Sequence, residues 1–68
     1  MDQKSQSEQI AGWLQRGYGI TPMDALENFG CFRLGARIYD LRKAGMDIVT
    51  EIVTTTRGKH VARYRRRK

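Results

Sequence analysis

The sequence predicts a mainly α domain in which three short helices are closed by a small β-hairpin. Three observations predict it. Apolar residues recur at helical spacing in three separate segments. Cap chemistry punctuates them: Ser5 and Thr21 stand before the first two, and Gly17, Gly30 and Gly45 follow the three in turn. After Gly45 the period changes, and the β-branched run "DIVTEIVTTT" is followed by a turn and an alternating segment. A chain of 68 residues holds one domain at most, built on one modest core.

Each element follows from local chemistry. Residues 1–5 are expected to fray. In "SQSE", Ser5 and Glu8 have capping-box spacing. Ile10, Trp13 and Leu14 share a face behind them, so the first helix is expected over 6–16. Thr21 is a suitable N-cap, Pro22 suits the first helical position, and Asp24 favours the positive end of the dipole. Ala25, Leu26 and Phe29 give this second helix, 22–28, its apolar face. Leu34, Ile38 and Leu41 form an i, i+4, i+7 stripe with Cys31 near it, which places a third helix over 32–44. The three are expected to pack against Leu14, Leu26 and Phe29. The hairpin is expected over 47–54 and 60–65, with Ile48, Ile52, Ala62 and Tyr64 sharing the face that covers the helices. The domain is then 6–64, and 65–68 is read as a basic tail.

Charge separates the chain into two parts. The formal net charge is +6, and the last dozen residues, "RGKHVARYRRRK", hold seven of the thirteen basic side chains and none of the seven acids. Such a terminus is an electrostatic footprint for nucleic acid, or a solubilising tail. Its members are Arg57, Lys59, Arg63, Arg65, Arg66, Arg67 and Lys68. The single Cys31 forms no internal disulfide, and Cys31, His60 and the scattered carboxylates have no metal-ligand spacing, so no metal or cofactor is expected. No apolar run resembles a signal peptide or reaches membrane-spanning length. The expected place is the cytoplasm, with no membrane partner.

Two helices joined by a short Gly-containing turn, here "FGC", match a helix-turn-helix. A helix in front and a hairpin behind give the winged form. With the Leu34–Ile38–Leu41 stripe inward, Phe32, Ala36, Tyr39 and Lys43 point outward on the third helix, with Arg33 on one flank. That face suits the major groove of double-stranded DNA, where Arg bonds guanine edges and apolar groups touch thymine methyls. The alternative is that Phe32 and Tyr39 pack under the hairpin or the first helix and the flank charges are solvated. Arg37 lies nearer the buried side, where it either snorkels to Asp24 or Glu27 or contacts DNA. Arg42 is expected to tie the helix end to the hairpin.

The stretch "GITPMDALENFGCFRLGARIYDLRKAGMDIVT", with "GKHVARY" after it, resembles a family of small winged helix-turn-helix domains frequent in bacteriophages and prophages. The resemblance covers about residues 8–64. It rests on Thr21, Ala25, Phe29, Gly30, Arg33, Leu34, Ala36, Arg37, Ile38, Asp40, Leu41, Arg42, Gly45, Ile48, Thr50, Ala62 and Tyr64. Two positions after Tyr64 the pattern carries an apolar residue, and this chain has Arg66. The resemblance implies DNA binding and a bacterial or phage-infected host cell.

No catalytic constellation competes. Ser5 and Ser7 lie far in sequence from His60, no acid is spaced to orient it, and "GYG" is no phosphate-loop fingerprint. The chain is not expected to be an enzyme. The first expectation is a DNA-binding regulator or recombination accessory factor. The rival is a small phage-type inhibitor or adaptor that docks a host protein or nucleoprotein complex through exposed aromatics. RNA binding through the arginines ranks below both. The sequence does not fix an oligomeric state.

Overall fold

The computed structural model describes residues 5–67. Three helices, α1 (Gln6–Gln15), α2 (Pro22–Phe29) and α3 (Leu34–Lys43), precede two strands, β1 (Ile48–Thr54) and β2 (His60–Arg66). Of the N-terminal stretch read as frayed, 1–4 lie outside the described residues, and Ser5 caps α1.

The caps work as the sequence suggests. The Glu8 amide donates to Ser5 Oγ (3.1 Å), and the Ser5 amide donates back to Glu8 Oε1 (3.0 Å). Thr21 and Asp24 form the same reciprocal pair at 3.2 and 3.0 Å, with Pro22 at the first helical position. Asp thus takes the place that Glu holds in α1. Gly30 ends α2 in the left-handed region, φ +63°. After α3, the Gly45 amide donates to Arg42 O and the Met46 amide to Leu41 O, both at 3.0 Å. This is a Schellman closure with Gly45 at φ +105°.

One core joins all five elements. Ile10, Leu14, Ile20, Ala25, Cys31, Leu34, Ile38, Leu41 and Ile48 are buried, with Trp13, Phe29, Met46 and Tyr64 packed at its edge. Trp13 meets Phe29 edge to face at 5.6 Å. Its indole N–H donates to Gly19 O at 2.8 Å, which pins the loop between α1 and α2. Leu26 corrects the predicted core. It is 37% exposed, because Ala25 and Phe29, four apart, take the inward stripe of α2 and leave Leu26 about 100° away.

The hairpin is antiparallel, in the register Ile48↔Arg66, Thr50↔Tyr64, Ile52↔Ala62, Thr54↔His60. Ile20 adds a bridge on the other edge of β2, exchanging two 2.8 Å backbone bonds with Tyr64. Ile48, Ile52, Ala62 and Tyr64 do share a face, but Ile52 is 65% exposed. Past Ile48 the opposite face of the hairpin is the covered one: Val53 and Val61 are half-buried and border a cleft with Thr21, Pro22 and Met23 at the start of α2.

The ladder also runs past Tyr64. Arg65 pairs with Val49 and Arg66 with Ile48. The Arg67 amide donates to Asp47 O at 2.8 Å. Residues 65–67 of the predicted tail are therefore the end of the second strand and its last bond. Lys68 lies outside the described residues.

Candidate nucleic-acid interface

The turn between α2 and α3 is Gly30–Arg33. Cys31 is buried there, and its amide reaches back to Ala25 O at 3.1 Å. With the turn anchored and Leu34, Ile38 and Leu41 held in the core, the opposite face of α3 is turned outward. Tyr39 is 61% exposed on that face. Lys43 Nζ stands 5.7 Å from its ring centroid. Ala36 is half-buried between the two faces. The alternative placement of Phe32 and Tyr39, packed under the hairpin or the first helix, does not occur: both are exposed.

The start of α3 is two residues later than the spacing suggested. Arg33 has φ −120°, ψ 64°, outside helical values, and provides no side-chain cap. Phe32 therefore stands in the turn, 85% exposed. Both remain beside the outward face, but as turn residues.

The hairpin ends in a tight loop. The Thr55 amide donates to Lys59 O at 2.8 Å and the Gly58 amide to Thr55 O at 2.9 Å. Gly58 sits at φ +81°, a left-handed conformation that suits glycine. Arg57 and Lys59 are exposed at this tip. The hairpin is fixed to α3 by Arg42, whose Nη2 donates to Ile48 O (2.8 Å) and to Thr50 Oγ1 (3.0 Å). Arg42 is thus the tie expected of it.

An anchored α2–turn–α3 unit, a leading helix and a projecting cationic hairpin now stand together. A family model for the winged helix-turn-helix domain matches residues 5–66. The chain belongs to the winged helix-turn-helix family. Comparisons with curated proteins and with solved structures returned no match.

Within this winged helix-turn-helix domain the predicted basic residues divide into two groups. Some are engaged by acids. Glu51 bridges Arg63 Nη1 at 2.7 Å and Arg65 Nε at 2.9 Å. Arg67 Nε reaches Asp47 at 3.0 Å. The Arg65 bond, and then the Arg63 bond, hold the Glu51 carboxyl below its ordinary value. Arg37 pairs with Asp40 at 3.1 Å, one turn along its own helix. This corrects the expected partners, since Asp24 is occupied as a cap. The others, Arg33, Lys43, Arg57, Lys59 and Arg66, have no acidic partner among the described residues, and Lys43 has only the Tyr39 ring.

Arg66 occupies the departure from the family pattern. By register it lies on the face of Tyr64 and Ile48, beside Leu41 and Met46 at the open end of the core. It is exposed there. Two features of the winged helix-turn-helix surface had no signal in the sequence. Gln6 of α1 comes beside Arg33 and Arg37, and Asp47 and Glu51 neutralise arginines distant in sequence. Among the described residues no helix is long and apolar enough to cross a membrane.

Proposed function

We propose that the protein binds double-stranded DNA without being an enzyme, as a phage- or prophage-type regulator or recombination accessory factor. The outward face of α3, Ala36–Tyr39–Lys43 with Phe32 beside it, enters the major groove. The hairpin tip, Arg57 and Lys59, meets the phosphate backbone, and Arg63, Arg65, Arg66, Arg67 and Lys68 contribute positive potential. The observation that carries the reading is the outward face itself. A large aromatic at 61% exposure, with the ammonium of an exposed lysine over its ring, sits on a helix whose other side is committed to the core.

Such a face suits base edges and thymine methyls, while the tip supplies charge without sequence information. The engaged arginines contribute less than their number suggests, because Glu51 and Asp47 offset them. The expected site of action is the cytoplasm of a bacterial or phage-infected cell.

One observation favours a second reading. Phe32 is 85% exposed in the turn, and an exposed aromatic is a common anchor for a partner protein. A salt series with random duplex DNA separates the two. DNA binding predicts that log K falls linearly with log salt, by about 0.9 per phosphate contact. No binding to duplex at low salt sinks the DNA reading and leaves a host protein as the partner.

A further inference from the structure

The two edges of the hairpin are treated differently. Ile20 bonds the outer edge of β2 at Tyr64. The outer edge of β1 has no such neighbour among the described residues. The Thr55 amide donates to Lys59 O and the Arg67 amide to Asp47 O, both at 2.8 Å, so the backbone at 47 and at 55 faces β2. An antiparallel ladder alternates. Val49, Glu51 and Val53 therefore also bond β2, and Ile48, Thr50, Ile52 and Thr54 turn their N–H and C=O groups outward. Arg42 takes Ile48 O. The outward backbone groups of Thr50, Ile52 and Thr54 have no partner among the described residues, and all three residues are exposed.

Proteins usually blunt such an edge with lysine, proline or a bulge. β1 carries none of these: it reads IVTEIVT, and its register with β2 is unbroken. Its one charged side chain, Glu51, is held by Arg63 and Arg65. The excess charge lies elsewhere, and three arginines stand on β2. β1 is thus the edge by which two copies of a chain of net charge +6 approach with least repulsion. Its outward residues read Thr, Ile, Thr, the same in both directions, as an isologous contact requires. A strand of another protein would find the same backbone groups, but nothing on this edge selects one.

We propose that β1 pairs with β1 of a second copy, antiparallel and centred on Ile52. Ile52 exchanges N–H···O bonds with its counterpart, and Thr50 with Thr54 of the second copy. This register satisfies every open backbone group between Arg42 and the turn; a shift of two residues leaves some of them bare. Ile52, 65% exposed in the single chain, packs against its counterpart on one face of the joined sheet. On the other face the two Glu51 side chains lie diagonally, each already between its own Arg63 and Arg65. The contact uses no residue of the outward α3 face, nor Arg57 or Lys59, so it is independent of the DNA reading.

The test uses the full chain without DNA. So small a contact is weak, so sedimentation equilibrium is run from micromolar to millimolar concentration. The mass should rise toward that of two chains. Added salt should tighten the association by screening the net charge, the opposite of its effect on DNA binding. Hydrogen exchange should slow with concentration at the Thr50, Ile52 and Thr54 amides, and not at Val49, Glu51 or Val53. Ile52→Lys and Ile52→Glu should each weaken self-association by at least about tenfold, through lost burial and like charge. An equimolar mixture of the two should restore it, because the two positions meet across the axis. Circular dichroism checks that both variants are folded. A chain that stays monomeric at millimolar concentration overturns the proposal, and leaves the edge to a strand of another protein. Association that survives both variants, or that leaves exchange at Thr50, Ile52 and Thr54 unchanged, overturns it too, because the contact then lies on another surface. Variants that each fail alone and also fail when mixed overturn the register about Ile52. None of these outcomes depends on whether the chain binds duplex.

Discussion

Ile38 and Ile52 both lie on faces that the sequence points inward, and the structure treats them in opposite ways. Ile38 is 1% exposed and Ile52 is 65% exposed. Alternation and helical period report which face a residue belongs to. They do not report whether another element lies opposite: α2 begins beside Val53 and Val61 on the other face of the hairpin and leaves Ile52 bare. Ile38→Ala should cost about 2–5 kcal/mol, a large share of the total in so small a domain. Ile52→Ala should stay within about 0.5 kcal/mol. Denaturant melts of the two variants check this, and equal losses would contradict the core assignment.

Gly19 shows the same limit in another form. It precedes the bridge residue Ile20, and a Cβ there would run into the Arg63 guanidinium. In sequence it looks like one more loop glycine. The group it approaches, the movable end of the Arg63 side chain, comes from a strand at the far end of the chain, where no local pattern reaches. Caps are the opposite case: Ser5, Thr21 and Gly45 each act within a few residues of themselves, and all three were legible.

At the scale of elements, the least legible was β2. Its arginine run looks like a tail because charge disfavours compact packing. The ladder nonetheless continues to Arg66, because Glu51 on β1 faces Arg63 across the register and reaches Arg65 diagonally. Cross-strand acids turn a repelling run into a paired strand. The lowered Glu51 carboxyl makes this testable by pH. A carboxylate whose folded-state value is depressed adds stability above its unfolded value, and loses it as pH falls through the folded one. Wild type should therefore be more stable than Glu51→Gln at neutral pH. The gap should close on acidification below the ordinary carboxylate range, and narrow in high salt. Thermal melts from neutral to acid pH measure it. A gap that persists unchanged in acid would show that Glu51 acts by packing rather than charge.

For the whole molecule, the fold and the excess of charge were legible because both are sums over many residues. The candidate interface was legible only in part. The outward face of α3 follows from one helix wheel, and Tyr39 and Lys43 stand where it put them. The cleft at Gln6, the ion pairs at Glu51 and Asp47, and the turn position of Phe32 depend on tertiary placement.

The central claim is that α3 reads DNA and the hairpin tip holds it. The measurement that tests it most directly is the ratio of affinities for a selected over a random duplex, taken across a salt series. Wild type, Tyr39→Ala, Lys43→Ala and the double variant Arg57→Ala/Lys59→Ala are compared. The α3 variants should lower the ratio, each lost base contact costing about 1–3 kcal/mol on the selected duplex alone. The tip variant should leave the ratio intact, weaken both duplexes and reduce the salt slope by about two. A ratio that survives both α3 substitutions, or falls with the tip instead, would contradict the account.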